Sequence, residues 1–109
     1  MSIRVGSQSF SEANLLGGTP IVLDEIQIDD NFDRLTVFAL SSLLNGVLEL
    51  QTKLAGNWVT VITTNLTAGT VDVSSIYHFF HIFRFKFTPA AGVTTDLGLQ
   101  INVVKHVAQ

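Results

Sequence analysis

The sequence is short of charge and contains no cysteine. Charged residues make up 14% of the 109 positions, against roughly 25% in typical soluble domains. The absence of cysteine excludes disulfides, thiolate chemistry and cysteine-ligated zinc. The six Lys and Arg are outnumbered by nine Asp and Glu and are scattered along the chain. The clustered basic footprint that nucleic-acid binding requires is therefore missing, and we predict no nucleic-acid partner.

Long apolar runs are also missing. No run approaches the roughly 18 residues of a membrane-spanning helix, and the start MSIRVGSQSF lacks the apolar stretch of a signal peptide. We therefore expect a soluble protein that is made in the cytoplasm and has no membrane partner. A chain of this length suits one domain, and a small domain has much surface for its volume. The low charge thus predicts that another molecule covers part of that surface.

What the sequence does contain is a series of short alternating runs between turn residues. In VLELQTKL (47–54) the leucines fall on one side of a strand, opposite charged and amide residues. The link AGN (55–57) is typical of a hairpin, with WVTVITT (58–64) as the returning strand. About seven or eight such runs, without a helical period, predict an all-β antiparallel β-sandwich of jelly-roll or Ig-like topology.

The first 19 residues differ from the rest. They have sparse apolar residues among Ser, Gly and Asn, and they end in the break Leu-Gly-Gly-Thr-Pro. We predict an extended N-terminal arm over 1–19 and a sandwich domain over 20–109. The side chains with which such an arm would contact a neighbouring protein are Ile3, Val5, Phe10 and Leu15.

The run IYHFFHIFRFKFT (76–88) is apolar on both faces of a strand. Read as one strand, its core face would comprise Tyr77, Phe79, His81, Phe83, Phe85 and Phe87. A loop or the arm could cover the second face, but an exposed apolar patch is a liability in a monomer, so we favour a second subunit. We therefore predict a homo-oligomer, such as a trimer, whose interface contains Ile76, His78, Phe80 and Ile82.

No arrangement of residues predicts catalysis. Neighbouring carboxylates such as Asp24 and Glu25 project to opposite sides of a strand, and there is no nucleophile elbow. His78 and His81 are three apart, so a regular strand also separates them. We predict a protein that is not an enzyme and has no cofactor or metal. Trp58, the only tryptophan, is the candidate for a sugar-stacking site, although core packing is its commoner role.

The run GVLELQTKLAGNWVTVITTNLTAGTVDV, then an aromatic strand and TPAAGVTTDLGLQINVV, resembles small accessory proteins of tailed-phage virions. These are capsid decoration or cement proteins and related tail or fibre modules with β-sandwich folds. The resemblance covers roughly residues 46–104 and lies in layout and composition rather than in a signature motif. It implies a virion structural protein on the capsid surface, synthesised in the host cytoplasm, whose partners are sister subunits and the major capsid protein or another virion protein. A tail adaptor or fibre-base component and a carbohydrate- or receptor-binding module are the alternatives.

Overall fold

In the computed structural model the chain forms two β-sheets that enclose one core. The structure describes residues 2–3, 6–28, 32–77 and 81–104, in which ten strands lie. They are β1 (Ser2–Ile3), β2 (Gly6–Leu16), β3 (Ile21–Val22), β4 (Ile26–Ile28), β5 (Arg34–Ser41), β6 (Gly46–Leu54), β7 (Asn57–Leu66), β8 (Asp72–Ile76), β9 (Ile82–Pro89) and β10 (Thr94–Val104). The predicted all-β sandwich is confirmed.

Along the chain, successive strands mostly belong to opposite sheets. The four-stranded sheet has the order β2-β10-β5-β8, and the six-stranded sheet has the order β1-β4-β9-β6-β7, with β3 also beside β9. All pairs are antiparallel except β1 with β4. Between the described strands, only the β6–β7 hairpin and the step from β3 to β4 stay within one sheet. Every other connection crosses to the opposite sheet.

The core follows from alternation along single strands. In β5 and in β9 every second residue is buried, so each strand has one face against the opposite sheet. On β9 this face carries Phe83, Phe85 and Phe87, and the first two rings meet edge to face with centroids 5.9 Å apart. Burying each phenylalanine stabilises the fold by about 1.5–3 kcal/mol. These rings fix which face of β9 turns inward.

The prediction of one continuous strand over 76–88 is wrong. Ile76 ends β8 in the four-stranded sheet, and Ile82 begins β9 in the six-stranded sheet. The even-numbered Ile76 is buried in the core, whereas Tyr77, predicted to face the core, is 70% exposed. On β9 the odd-numbered residues point inward, as Phe83 does. The chain changes sheets between these strands, and the inward parity changes with it.

The predicted N-terminal arm also needs correction, because most of it is an edge strand of the sandwich. Strand β2 pairs with β10 along its length. Phe10 packs against the core and Leu15 is buried in it, although the two residues are five positions apart and would face opposite ways on a regular strand. A β-bulge explains this. Asn14 lies there with φ 57°, and its backbone N–H donates to the Asp96 carboxylate at 2.9 Å. The extra residue reverses the alternation.

Candidate functional site

The residues predicted at a subunit interface do not share one face. Ile76 is 6% exposed and belongs to the core of its own chain. Ile82 is half-buried and alternates with the inward Phe83, so it lies on the outer side of the six-stranded sheet. His78 and Phe80 lie outside the described residues. The fold therefore separates Ile76 from Ile82, and the predicted patch does not form as one strand face.

The residues predicted as arm contacts have a similar outcome. Leu15 is buried in the chain's own core, and the half-buried Phe10 packs against that core. Ile3 lies in β1, where its backbone pairs with that of Ile28. Val5 lies outside the described residues. The sequence could not reveal these packing roles, because the bulge in β2 breaks the period-two pattern by which core residues are recognised.

The outer side of the four-stranded sheet carries an apolar strip. Val73, Phe38 and Gln100 lie in register on neighbouring strands and face the same way. Phe38 is half-buried and lies between the inward Val37 and Ala39, which sets this direction. We call the surface formed by Phe38, Leu40, Val71, Val73, Gly98 and Gln100 the uncharged face. Apolar patches on outer sheet faces are typical of protein contact surfaces.

A groove runs across the uncharged face at Gly98. It has a volume of about 290 Å³ and is lined by residues of β2, β5 and β10 and by Val71. Gly98 pairs with Leu40 on one side and Ser11 on the other, and it contributes no side chain between them. A Cβ added at Gly98 would meet no atom within 4 Å. The groove therefore exists because glycine occupies the centre of β10.

The outer side of the six-stranded sheet has a different character, because it carries cations around Trp58. Lys53 pairs directly with Trp58 across the β6–β7 hairpin. Its Nζ lies 5.2 Å from the centroid of the indole ring, and the guanidinium carbon of Arg84 lies 4.3 Å from that centroid. Both distances are within the roughly 6 Å over which a cation interacts with an aromatic ring. We call Trp58, Arg84 and Lys53 the indole–cation site.

A chain of hydrogen bonds anchors this site. Arg84 Nε donates to Gln51 Oε1 at 2.8 Å, and Gln51 Nε2 donates to Thr60 Oγ1 at 3.2 Å. Thr60 Oγ1 then donates to Glu49 Oε1 at 3.2 Å. Gln51 is only 8% exposed although it points outward. The guanidinium is thereby held both by a buried amide and by the ring of Trp58.

Of the residues in this site, only Trp58 is predicted as a site residue from the sequence. The tight hairpin sets the pairing of Lys53 with Trp58, so this pairing could be predicted from the sequence around the turn. Arg84 comes from β9, which lies beside β6 only because of the sheet order. Trp58 is half-buried on an outer face rather than in the core. The sugar-stacking hypothesis stays a prediction, and the guanidinium lies over the ring that a sugar would need.

Among the described residues, metal-binding groups and membrane-spanning helices are absent, and the cavity between the two sheets is small. Within 2–3, 6–28, 32–77 and 81–104, no three His, Cys, Asp or Glu side chains are grouped as a metal ion would require. In the same part of the chain no helix is long and apolar enough to cross a membrane. The cavity beside Asp72 and Ser74, between the sheets, has a volume of about 10 Å³. Ligand pockets usually have roughly 300–1,000 Å³.

Comparison with known proteins gives a likeness among solved structures. No protein-family model matches the chain, and no curated protein matches it in sequence. Among solved structures, the chain is similar to the crystal structure of PBSX exported protein XepA, with a TM-score of 0.77 at 15% identity. The likeness covers 94% of this chain and 38% of that chain, so this chain spans well under half of its neighbour. At this identity the likeness shows a shared fold.

Proposed function

We propose that the protein is a non-enzymatic structural component of a phage particle. It would associate with copies of itself and contact other virion proteins, first among them the capsid subunits that a decoration or cement protein covers. Two likenesses support this proposal. The sequence over residues 46–104 resembles accessory proteins of tailed-phage virions, and the fold is similar to that of XepA, a phage-related exported protein.

The observation that carries the proposal is the uncharged face. It sets the exposed Val71 and Val73, 56% and 58% accessible, beside Phe38 and the groove at Gly98. A ridge and a groove on one surface can pack against the same surface of a second copy, as a two-fold interface requires. Since the face lacks charge, covering it desolvates no ion. The low charge of the whole chain, 14% of residues, fits the same explanation.

Such a protein would act through geometry and mass action. A molecule that binds only the assembled form of a shell stabilises that form in proportion to its free concentration and affinity. A sandwich suits this role because its faces are held by a continuous core. Its edge strands β2, β7 and β8 carry unpaired backbone groups that further contacts could cover.

The first test is the solution mass at micromolar concentration, measured by light scattering after gel filtration. We expect a discrete dimer, trimer or other closed oligomer. Gly98→Lys should give a folded monomer, because the groove accepts a side chain without a clash and the added charge opposes burial. Thr63→Lys adds the same charge at an exposed position on the opposite outer face and is the matched control. A monomeric native protein, or equal effects of the two variants, would refute self-association through this face.

The virion role has its own test. Particles purified from a lysate of cells that encode the protein should contain it at a fixed copy number relative to the capsid protein, as measured by quantitative mass spectrometry. A particle preparation without the chain would refute the proposal, whatever the oligomeric state in solution.

A further inference from the structure

We propose that the indole–cation site binds carboxylate groups of an acidic segment in a partner protein. The site lies on the six-stranded sheet, whereas the uncharged face lies on the four-stranded sheet. The two surfaces are therefore separate, and this inference goes beyond the proposed self-association. It names the chemistry that a second kind of partner would need.

Charge is the first argument. The chain has a net charge of -3, yet two of its six Lys and Arg, Lys53 and Arg84, both lie against the ring of Trp58. In the described part of the chain no ion pair joins Lys53 or Arg84 to a carboxylate of the protein. Glu49 is nearby but accepts its hydrogen bond from Thr60. The site is therefore a locally positive surface on an acidic protein, and neither of its two cations is neutralised by an ion pair within the described residues.

Geometry is the second argument. Arg84 uses its Nε for Gln51, whereas among the described residues no acceptor engages its two terminal Nη groups. Paired N–H donors of a guanidinium match the two oxygens of a carboxylate. The buried amide of Gln51 and the ring of Trp58 already restrict the guanidinium. Binding therefore costs less side-chain entropy than it would for a free arginine. Lys53 supplies a second charge on the same ring.

The surroundings favour a protein segment over a saccharide. A sugar ring would stack on an open aromatic face, but the guanidinium carbon of Arg84 lies 4.3 Å from the centre of the Trp58 ring. Strand β7, which carries Trp58, is an edge strand of its sheet. An extended peptide can pair with such an edge and place alternate side chains over the outer face. An acidic peptide on β7 would thus bring carboxylates to the site.

The test uses Trp58 as its own reporter, since the chain has no other tryptophan. A capped hexaglutamate peptide is titrated into the native protein while indole fluorescence is followed, and calorimetry gives an independent affinity. We expect saturable binding that weakens as salt is raised. Hexaglutamine and hexalysine of the same length should not bind. Polygalacturonate tests the saccharide alternative; binding of polygalacturonate without binding of hexaglutamate would overturn the assignment to a protein partner.

Variants separate a specific site from general attraction. Arg84→Gln should weaken hexaglutamate binding by about tenfold or more, because a charged hydrogen-bond donor is lost. Lys86→Gln removes the same charge from the same face of β9, away from the indole, and should change the affinity by less than about twofold. Arg84→Lys keeps the charge without the planar donors and should fall between them. Circular dichroism checks that each variant is folded. Equal losses in Arg84→Gln and Lys86→Gln, or no binding to the native protein, would refute the site.

Discussion

Replacing Gly46 with alanine tests how tightly the sandwich is packed at the start of β6. Gly46 is buried and pairs with Pro89 of β9. A Cβ at this position would lie 2.5 Å and 2.7 Å from ring carbons of Phe87 and 2.9 Å from the carbonyl oxygen of Thr88. Non-bonded carbons normally stay roughly 3.5 Å or more apart. Phe87 is 0% exposed, so its ring can give way only by displacing other core side chains.

Two opposing effects set the size of the change. Overpacking a filled core costs about 1–3 kcal/mol. Against this, replacing glycine with alanine restricts the unfolded chain and stabilises by about 0.4–1 kcal/mol where the backbone conformation permits a side chain. The backbone of Gly46 does permit one, since its φ is not positive. We therefore expect Gly46→Ala to lower the free energy of unfolding by about 1–2 kcal/mol.

Urea unfolding followed by the fluorescence of Trp58 measures this loss. A double-mutant cycle with Phe87→Leu identifies the obstacle, since leucine removes the ring carbons that the new methyl group would meet. The loss in the double variant should be smaller than the sum of the single losses by about 0.5–1 kcal/mol. Some loss should remain, because the new methyl group would still meet the backbone carbonyl oxygen of Thr88, which the Phe87→Leu change leaves in place. An unchanged or more stable Gly46→Ala variant, or strictly additive losses, would refute the packing argument.

Two further predictions concern backbone groups. The hairpin turn has φ 52° at Ala55 and 83° at Gly56, so Ala55→Asn should raise the free energy of unfolding by about 0.5–1 kcal/mol. Thermal unfolding checks this, and a lower midpoint would contradict it. Thr95→Val removes the buried hydroxyl that accepts from the N–H groups of Leu43 at 3.0 Å and Leu44 at 3.2 Å. Urea unfolding should show a loss of about 1–3 kcal/mol, whereas Thr95→Ser, the control, should lose clearly less; equal losses would contradict the role of the hydroxyl.

Much of the fold, namely several strands and the turns between them, could be predicted from the sequence. Strands β5, β6 and β10 bury alternate residues over most of their length, and turn residues mark their ends. The link over residues 55–57 was predicted as a hairpin, and β6 and β7 do form one. Sheet membership could not be predicted in this way. Alternation shows that a strand has an inner face, but it does not show which sheet holds the strand, so the crossing between Ile76 and Ile82 was missed.

For the two candidate surfaces, likewise, the sequence pattern predicts which side of a strand a residue occupies but not which residues of other strands lie beside it. The pattern of β10 places Gly98 and Gln100 on the side opposite Leu99, which is an inference from the sequence alone. Their position beside Phe38 depends on the pairing of β10 with β5. In the same way, Arg84 reaches Trp58 because β9 lies next to β6, and these strands lie far apart in the chain. Neither surface could therefore be predicted without the order of the strands in the sheets.

Local sequence patterns are sufficient to predict the all-β class and the alternation that makes the core, and the shortage of charge predicts a covered surface. These properties depend on side chains that are near one another in the chain, so local physical chemistry is sufficient to predict them. Strand pairing in the folded chain sets which strands are neighbours, how the bulge at Asn14 turns both Phe10 and Leu15 inward, and which polar residues surround Trp58. These depend on pairing between distant segments, which is selected by the free energy of the whole core.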